Sequence, residues 1–463
     1  MIDAAIISNR TITPEGIRKA AVLIKDGKIE DVLDELPEGD FSVTDIGDRV
    51  LMPGIVDPHV HINEPGRTDW EGFDSATKAA IAGGITTLVE MPLNASPVTT
   101  TARAFDEKIK AASVTLSLPA PPRRWSKGDS TKLHCNCGFW GGVIPGNEKD
   151  IEPLIERGVL GFKAFLTDSG IDEFPNVTEQ DLRKAMPIIA KYGLPLLVHC
   201  EMDYSSNTLR QAQGDNRSYQ NYLSSRPKKW EDDAIALMIH LCEEFNCRTH
   251  IVHLSSADSI GQITKAKQKG LPLTVETCQH YLYFTAEQVK DGQTEFKCAP
   301  PIRELANNEK LWQALKEGVI DFVATDHSPA PPAMKELISG DFMKAWGGIS
   351  SVQFSLPVLW TAAKKHDCGL QDIAKWLCEK PALLPQLHTK GKIAKGYDAD
   401  LVIWDPERSF TVIKDMIYHK HKNTPYLDEK LYGVVEQTWL NGEKVFDGGK
   451  FLHLNKGRIL TTN

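Results

Sequence analysis

The stretch LMPGIVDPHVHINEPG, from Leu51 to Gly66, organises the reading of this chain. It begins with an apolar run that predicts a buried β-strand and then places His59 and His61 at alternate positions. Because alternate side chains of a strand point to the same face, the two imidazoles are expected to point together. Imidazole is a common ligand of zinc and related ions, so the pair indicates a metal site. The alternative is two hydrogen-bonded polar residues at a strand end.

The composition predicts an ordinary soluble, globular protein. The chain has 463 residues, of which 41% are hydrophobic and 25% charged, with a formal net charge of −9. No basic stripe supports nucleic-acid binding, and no apolar run is long enough to cross a bilayer. The first residues predict a strand rather than a signal peptide. Nine cysteines without a repeating framework predict reduced thiols, and hence a cytoplasmic location. Neither a membrane nor a nucleic acid is expected as a partner.

Both ends of the chain carry the short alternating patterns of β-strands, whereas the middle does not. The dipeptides Asp26-Gly27 and Asn441-Gly442 are hairpin turn signals within these ends. We therefore predict that residues 1–52 and 391–463 pair into one small β-sheet domain beside a central domain of residues 53–390.

The central part alternates short apolar runs with helical patterns. Strands are predicted at 54–61, 86–91, 133–140, 160–166, 194–199, 249–254, 271–276 and 319–326. Helices are predicted at 75–82, 102–112, 151–156, 179–191, 232–245 and 258–267. Eight strands with crossover helices predict an α/β fold of the (β/α)8, or TIM-like, barrel type, with a doubly wound open sheet as the alternative.

Residues that can bind metal recur at or near the C-terminal ends of these predicted strands. In a barrel these ends meet at one mouth, where barrel enzymes assemble their sites. Taken singly, each residue has an ordinary explanation as a hydrogen-bonded polar group or a lysine that reaches solvent. Taken together, they predict a shared metal site. The set comprises His59, His61, Lys163, His199, His253 and Asp326.

With these residues in place, the chain resembles the cyclic amidohydrolases of the metal-dependent amidohydrolase superfamily, and within them the allantoinases of the fungal kind. The resemblance runs from residue 51 to about residue 405. Its superfamily-level motifs are HVH (59–61), GFK (161–163), the isolated His199 and His253, TDH (325–327) and GKIAKGYDADLVIWD (391–405). Its narrower motifs are HINEPGRTDWEG (61–72), EMPLN (90–94), SRP (225–227), KCAPPIR (297–303) and DHSP (326–329).

The resemblance implies a site with two divalent metal ions. In the family the lysine of strand four is carboxylated and bridges the ions, so Lys163 is expected to be an N6-carboxylysine formed with carbon dioxide. An ammonium beside two dications is disfavoured, which fits this expectation. By resemblance, His59, His61 and Asp326 hold one ion, and His199 and His253 hold the other. Zinc is the first expectation, with cobalt or manganese as alternatives.

The resemblance also implies a reaction, a substrate and a homo-oligomer, with a tetramer as the family expectation. It further implies that the two chain termini form a small β-sandwich domain. A metal-bridged hydroxide would open the ring of allantoin to give allantoate, with Asp326 as the catalytic proton carrier. By resemblance, Asn94, Ala299 and Ser328 are expected to bind the substrate.

Two departures from related families bear on the substrate. Dihydroorotases have an arginine where Asn63 stands, so a carboxylate-bearing ring is disfavoured. Dihydropyrimidinases have a tyrosine in the region that reads LTDS (166–169) here, so the oxyanion is expected to rest on metal and backbone. The alternatives are a hydantoinase or dihydropyrimidinase that acts on another cyclic ureide, and a non-catalytic scaffold relative.

Overall fold

A computed structural model describes residues 1–113, 131–204 and 215–462 of the chain. The described part has an α/β fold with two parallel sheets and one large, mostly antiparallel sheet. The strands are β1 (Ala4–Thr13), β2 (Gly16–Lys25), β3 (Lys28–Leu33), β4 (Ser42–Asp45), β5 (Val50–Pro53), β6 (Ile55–Val60), β7 (Ile85–Glu90), β8 (Asn136–Phe139), β9 (Gly141–Gly142), β10 (Phe162–Phe165), β11 (Leu196–His199), β12 (Thr249–Ile251), β13 (Leu273–Cys278), β14 (Phe322–Ala324), β15 (Leu401–Thr411), β16 (Lys430–Leu440), β17 (Glu443–Asp447) and β18 (Lys450–Phe451).

The helices lie mainly between the parallel strands. They are α1 (Phe73–Ala82), α2 (Ala102–Ala112), α3 (Ile151–Arg157), α4 (Glu179–Lys191), α5 (Tyr219–Ser225), α6 (Lys228–Phe245), α7 (Ile260–Gln268), α8 (Gln279–Tyr283), α9 (Leu305–Lys316), α10 (Ser355–Ala363), α11 (Leu370–Ala374) and α12 (Lys380–Leu383). The six predicted helices correspond to α1, α2, α3, α4, α6 and α7. Helix α4 has the predicted bounds because Thr178 and Asp181 form a capping box at its start.

The two parallel sheets adjoin at both of their ends. One has the order β6-β7-β8 and the other β14-β13-β12-β11-β10-β9. Trp140 alone separates β8 from β9. At the other end, Val60 forms a parallel bridge with His327, and the backbone N–H of His61 donates to the His327 carbonyl over 2.8 Å. All eight predicted strands have an observed counterpart, and most are shorter because the chain turns into the adjoining loop.

The parallel strands are buried on both faces, which is why they read as continuous apolar runs rather than as alternating ones. All residues of β6, β7, β8, β10, β11, β12 and β14 are buried. The nine cysteines are likewise buried, and all are free thiols, in agreement with the prediction of reduced cysteines. Within the described ranges, no helix combines the length and the apolar character needed to cross a membrane.

Strands from both chain ends share the large sheet, as predicted. Its order is β18-β17-β16-β15-β5-β1-β2-β3, with β4 beside β1, and the antiparallel pairing of β5 with β15 joins the N-terminal and C-terminal parts. The two predicted hairpin turns join β2 to β3 and β16 to β17. Asp26, Gly27, Asn441 and Gly442 have φ angles of 51°, 74°, 51° and 82°, as a two-residue turn of type I′ requires.

A buried lysine ties the large sheet to the parallel sheets. The Nζ of Lys390 lies 2.5 Å from Asp400 and 3.1 Å from Asp398. Asp400 also accepts a hydrogen bond from Asn136 of β8 over 3.2 Å. Burial alone would lower the pKa of Lys390, but the two carboxylates raise it above its usual value. The junction is therefore a charged cluster in which each member needs its partner.

We expect Lys390→Met to destabilise the protein by about 3–5 kcal/mol, because it leaves the buried carboxylate of Asp400 without its cation, whereas Asp398 keeps Lys28. The matched control is Lys392→Met, since Lys392 pairs with Glu379 at 3.1 Å on a partly exposed surface. Such a pair contributes about 0–1 kcal/mol. Urea unfolding followed by circular dichroism measures both. Equal losses in the two variants would contradict the role given to this cluster.

Candidate metal centre

Three buried side chains meet where the ends of the parallel array adjoin. His59 lies on β6, His61 directly follows it, and Asp326 follows β14; their ligand atoms lie within 4.8 Å of one another. The Oδ1 of Asp326 is 3.2 Å from the Nε2 of His59 and 3.5 Å from the Nε2 of His61. Two imidazoles and one carboxylate around a point are ligands suited to a divalent ion such as zinc.

The other three predicted ligands extend this cluster along the strand ends. The ring centre of His253 is 5.5 Å from that of His59 and 4.6 Å from that of His199. Phe165 stacks on His199 with ring centres 4.6 Å apart, and the Nζ of Lys163 lies 5.0 Å from the Phe165 ring centre. All six residues are at most 8% exposed and line one cavity of about 550 Å³. The structure thus brings together every residue that the sequence proposed as a ligand.

Two polar atoms of the cluster have no hydrogen-bond partner in the part of the chain that is described. They are the Nζ of Lys163 and the Nδ1 of His253, both buried. A buried polar group without a partner is costly, and native structures rarely keep one. Burial also lowers the pKa of Lys163 to about 8, which makes its neutral amine accessible. An unpartnered imidazole nitrogen beside a His-His-Asp group fits a site that binds cations.

Glu276 contacts His59 at the ring nitrogen opposite the one that faces Asp326. Its carboxylate accepts hydrogen bonds from the Nδ1 of His59, from the Nε2 of His250 over 3.1 Å and from the backbone N–H of His253 over 3.3 Å. Burial alone would raise the pKa of Glu276, but His59 and His250 lower it to about 2. Because the carboxylate of Glu276 holds a proton on the Nδ1 of His59, Nε2 is the ring nitrogen that faces Asp326.

Glu201 holds His199 in the same way and joins it to an arginine. The Nε2 of His199 donates to Glu201 over 2.8 Å. The Nε of Arg226 donates to Glu201 over 3.0 Å, and its Nη2 also donates to this carboxylate. Burial alone would raise the pKa of Glu201, but Arg226 and His199 lower it to about 2. The lone pair of His199 is therefore on Nδ1.

Sequence reasoning did not assign roles to Glu201, Glu276 or Arg226. A signal was present for the two carboxylates, because Glu201 follows His199 by two residues and Glu276 lies in a buried strand. His250 contacts both Glu276 and the hydroxyl of Thr274, so it supports the histidines from outside the cavity.

The residues expected to bind substrate also line the cavity. Asn94, Ala299 and Ser328 do so, and the Nδ2 of Asn94 lies 3.3 Å from the Nδ1 of His61. Asn63, where dihydroorotases carry arginine, instead donates to the Pro329 carbonyl over 3.3 Å.

Other parts of the cavity wall agree with the sequence analysis. Residues 167–170 line it without a tyrosine. Tyr222 does line it, but its hydroxyl donates to the Cys298 carbonyl over 2.6 Å. Trp346 and Gly347 also line the cavity.

Four site residues have left-handed backbone conformations. The φ angles are 39° for His253, 43° for Asp326, 67° for Asn63 and 66° for Asn94. Such angles are uncommon outside glycine and persist where the surrounding structure holds the backbone in place, often at functional sites. Here they turn the chain sharply just beyond the strand ends.

The chain is similar to known proteins both in sequence and in fold. The pattern of the Amidohydrolase family matches residues 50–445. An allantoinase of Streptomyces avermitilis is 46% identical and covers 99% of both chains, and the allantoinase of Saccharomyces cerevisiae is 41% identical over 96% of this chain and 95% of its own. The solved structure of the L-hydantoinase (dihydropyrimidinase) from Arthrobacter aurescens covers 100% of both chains with a TM-score of 0.90 and 29% identity.

We expect Glu276→Gln to lower the metal affinity of the protein by about 10- to 100-fold, the usual effect of losing a partner that orients a histidine ligand. The control is Glu90→Gln, because Glu90 is equally buried but pairs with Lys108 over 2.9 Å instead of with a histidine. Competition with a chelator measures zinc affinity in both. A comparable loss in Glu90→Gln would show that any buried charge, not the contact with His59, matters.

Proposed function

The chain belongs to the amidohydrolase family, and on that premise we propose that it hydrolyses allantoin to allantoate. The observation that carries this proposal is the match to allantoinases over almost the whole of both chains. The reaction is the opening of a cyclic amide by water, so it requires a nucleophile, a means of stabilising negative charge on the carbonyl oxygen and a proton for the leaving nitrogen.

For the fold, we propose that the two parallel sheets form a single closed (β/α)8 barrel of residues 53–390. The bridge between Val60 and His327 and the single residue between β8 and β9 support closure. We further propose that residues 1–52 and 391–463 form a β-sandwich, which the pairing of β5 with β15 supports. The homo-oligomeric state and the cytoplasmic location belong to the same proposal.

For the metal centre, we propose that His59, His61 and Asp326 hold one divalent ion and that His199 and His253 hold a second. Zinc is the first candidate for both. When bound, divalent ions lower the pKa of water towards neutrality and polarise a carbonyl group. The orientations of His59 and His199 support this assignment, because each ring contacts a carboxylate through one nitrogen and keeps the other nitrogen for an ion.

Lys163 is the residue that we propose to join the two halves of the site. Its neutral amine adds to carbon dioxide and releases one proton, which converts a cation into an anion with two oxygen atoms. The lack of any partner for its Nζ among the described residues and its lowered pKa support this modification. The product would offer two oxygen atoms as ligands for divalent ions.

Asp326 is the proposed proton carrier. The hydroxyl of the attacking water becomes part of the new carboxylate, the ring C–N bond breaks, and Asp326 transfers the proton of water to the ring nitrogen. Burial alone would raise the pKa of Asp326, but His59 and His61 hold it well below its usual value, so the carboxylate begins as a base. Asn94, Ala299 and Ser328 are proposed to hold the ring.

A hydantoinase or dihydropyrimidinase activity is the second candidate, because the compared structure with this fold carries that name. A substrate panel of allantoin, hydantoin, dihydrouracil and dihydroorotate separates the two. We expect allantoin to have the highest kcat/KM, with allantoate identified as the product. Preference for dihydrouracil or hydantoin would replace the proposal by the second candidate, and turnover of none would favour a scaffold role.

We expect Lys163→Ala to lose both bound metal and allantoin turnover, because the variant lacks the amine that forms the bridging anion. Metal analysis of the purified protein and an assay for allantoate measure the two properties. Thermal unfolding of the metal-free wild type serves as the control for folding. A variant that keeps its metal and its activity would disprove the bridging role.

We expect Asp326→Asn to reduce kcat by roughly 10²- to 10⁴-fold, the usual range for the loss of a proton carrier. The amide retains the size of the side chain and one oxygen, so part of the bound metal should remain. Steady-state kinetics normalised to metal content measures the effect. A kcat near that of the wild type would assign the proton transfer to another group.

A further inference from the structure

The SRP motif of residues 225–227 has no role in the reaction as described so far. It lies between α5 and α6, and Ser225 and Arg226 line the cavity together with Tyr222 and Trp230. The side chain of Arg226 is 23% exposed, whereas its partner Glu201 is completely buried. One edge of the guanidinium is therefore inside the protein while another part remains accessible.

The guanidinium and the backbone of Arg226 are both held by hydrogen bonds. Its Nε and Nη2 donate to the two oxygens of Glu201, and the backbone carbonyl of Arg226 accepts from the Nη1 of Arg303 over 3.1 Å. The Nη1 of Arg226 donates to no other residue within the described ranges. Because a guanidinium is planar, fixing one edge also fixes the direction of the remaining N–H groups.

Other cations of the cavity wall are less suited to bind a ligand. The ammonium of Lys297 donates to the carbonyls of Met343 and Ala345 over 3.3 and 2.5 Å. Lys344 has a side chain that is 73% exposed and thus free to move. Of these cavity-lining cations, Arg226 alone combines a fixed position with N–H groups that no described residue uses.

The position of Arg226 relative to the metal centre suits the outer part of a substrate. Glu201 contacts both Arg226 and His199, so two hydrogen bonds separate the guanidinium from a proposed ligand. Allantoin has a planar ureido tail on its ring, which extends roughly 4 Å beyond the ring carbon at ordinary bond lengths. A ring carbonyl at the metal centre would leave this tail pointing towards the cavity wall.

We propose that Arg226 is a specificity-determining residue that donates hydrogen bonds from Nη1 to the carbonyl oxygen of the ureido tail. The inference rests on the proposed allantoin hydrolysis and extends it to the recognition of the tail. The N–H groups of a planar guanidinium match the in-plane lone pairs of a carbonyl oxygen. Because the ureido tail is neutral, one cation is enough to bind it. Ring compounds without the tail leave this donor unused, which disfavours them.

The test compares Arg226→Lys with the wild type and with Arg157→Lys. Lysine preserves a positive charge for Glu201 but lacks the second edge of the guanidinium. Arg157 is a matched control because it also pairs with a carboxylate, Asp106 at 3.1 Å, and contributes nothing to the cavity wall. The measurements are KM and kcat for allantoin, the competitive inhibition constant of hydantoin and the metal content.

For Arg226→Lys we expect KM for allantoin to rise roughly tenfold to hundredfold, the range for losing one or two hydrogen bonds from a charged donor. The inhibition constant of hydantoin and the metal content should stay at their wild-type values, because the ring and the metal centre are untouched. Arg157→Lys should change none of these quantities. If Arg226→Lys does not fold, the wild-type protein decides the question: an inhibition constant for hydantoin equal to the KM for allantoin overturns the inference.

Three outcomes would overturn the inference: an unchanged KM for allantoin, an equal weakening for allantoin and hydantoin, or a loss of metal that accounts for the change. The last two would make Arg226 only a support for Glu201 and His199. Wild-type protein that leaves allantoin intact would overturn the proposed function and this inference with it. If hydantoin binds the wild type too weakly to measure, KM and metal content decide the question.

Discussion

The parallel arrangement of the central strands is the constraint on which the rest of the molecule depends. In a parallel sheet all strands end on the same side, so residues at their C-terminal ends meet at one edge. The bridge between Val60 and His327 brings the first and last of these strands together. His59 and Asp326 lie far apart in the chain, yet the structure places their side chains 3.2 Å apart.

Burial of so many polar groups at this edge requires compensation, and a second layer of carboxylates supplies part of it. Glu276 and Glu201 remain ionised in the interior because histidines and an arginine surround them. Each holds one histidine through a single ring nitrogen, which leaves the other ring nitrogen for an ion. The two carboxylates therefore orient the rings of both histidines.

The wall above this edge is built from segments that hold one another through backbone carbonyls. Lys297 donates to the carbonyls of Met343 and Ala345, and Lys335 donates to those of Lys297, Trp346 and Gly348 over 3.1, 2.9 and 2.8 Å. These contacts hold the loop that carries Trp346 over the mouth. Arg226, which is anchored on Glu201, adds to this wall the donor that we propose for recognition of the ureido tail.

The sequence alone predicted, in their order, eight of the nine parallel strands that the structure describes, the hairpins at Asp26-Gly27 and Asn441-Gly442, and the six residues that meet in the cavity. These features follow from periodicity, turn chemistry and residue type, all of which are local. Only the tertiary structure decided that Glu276 contacts His59, that Glu201 joins His199 to Arg226, and that β5 pairs with β15. Most of these contacts join residues that are distant in the chain. The contact between His199 and Glu201 instead depends on the directions of two nearby side chains. Local sequence patterns predict neither kind of contact.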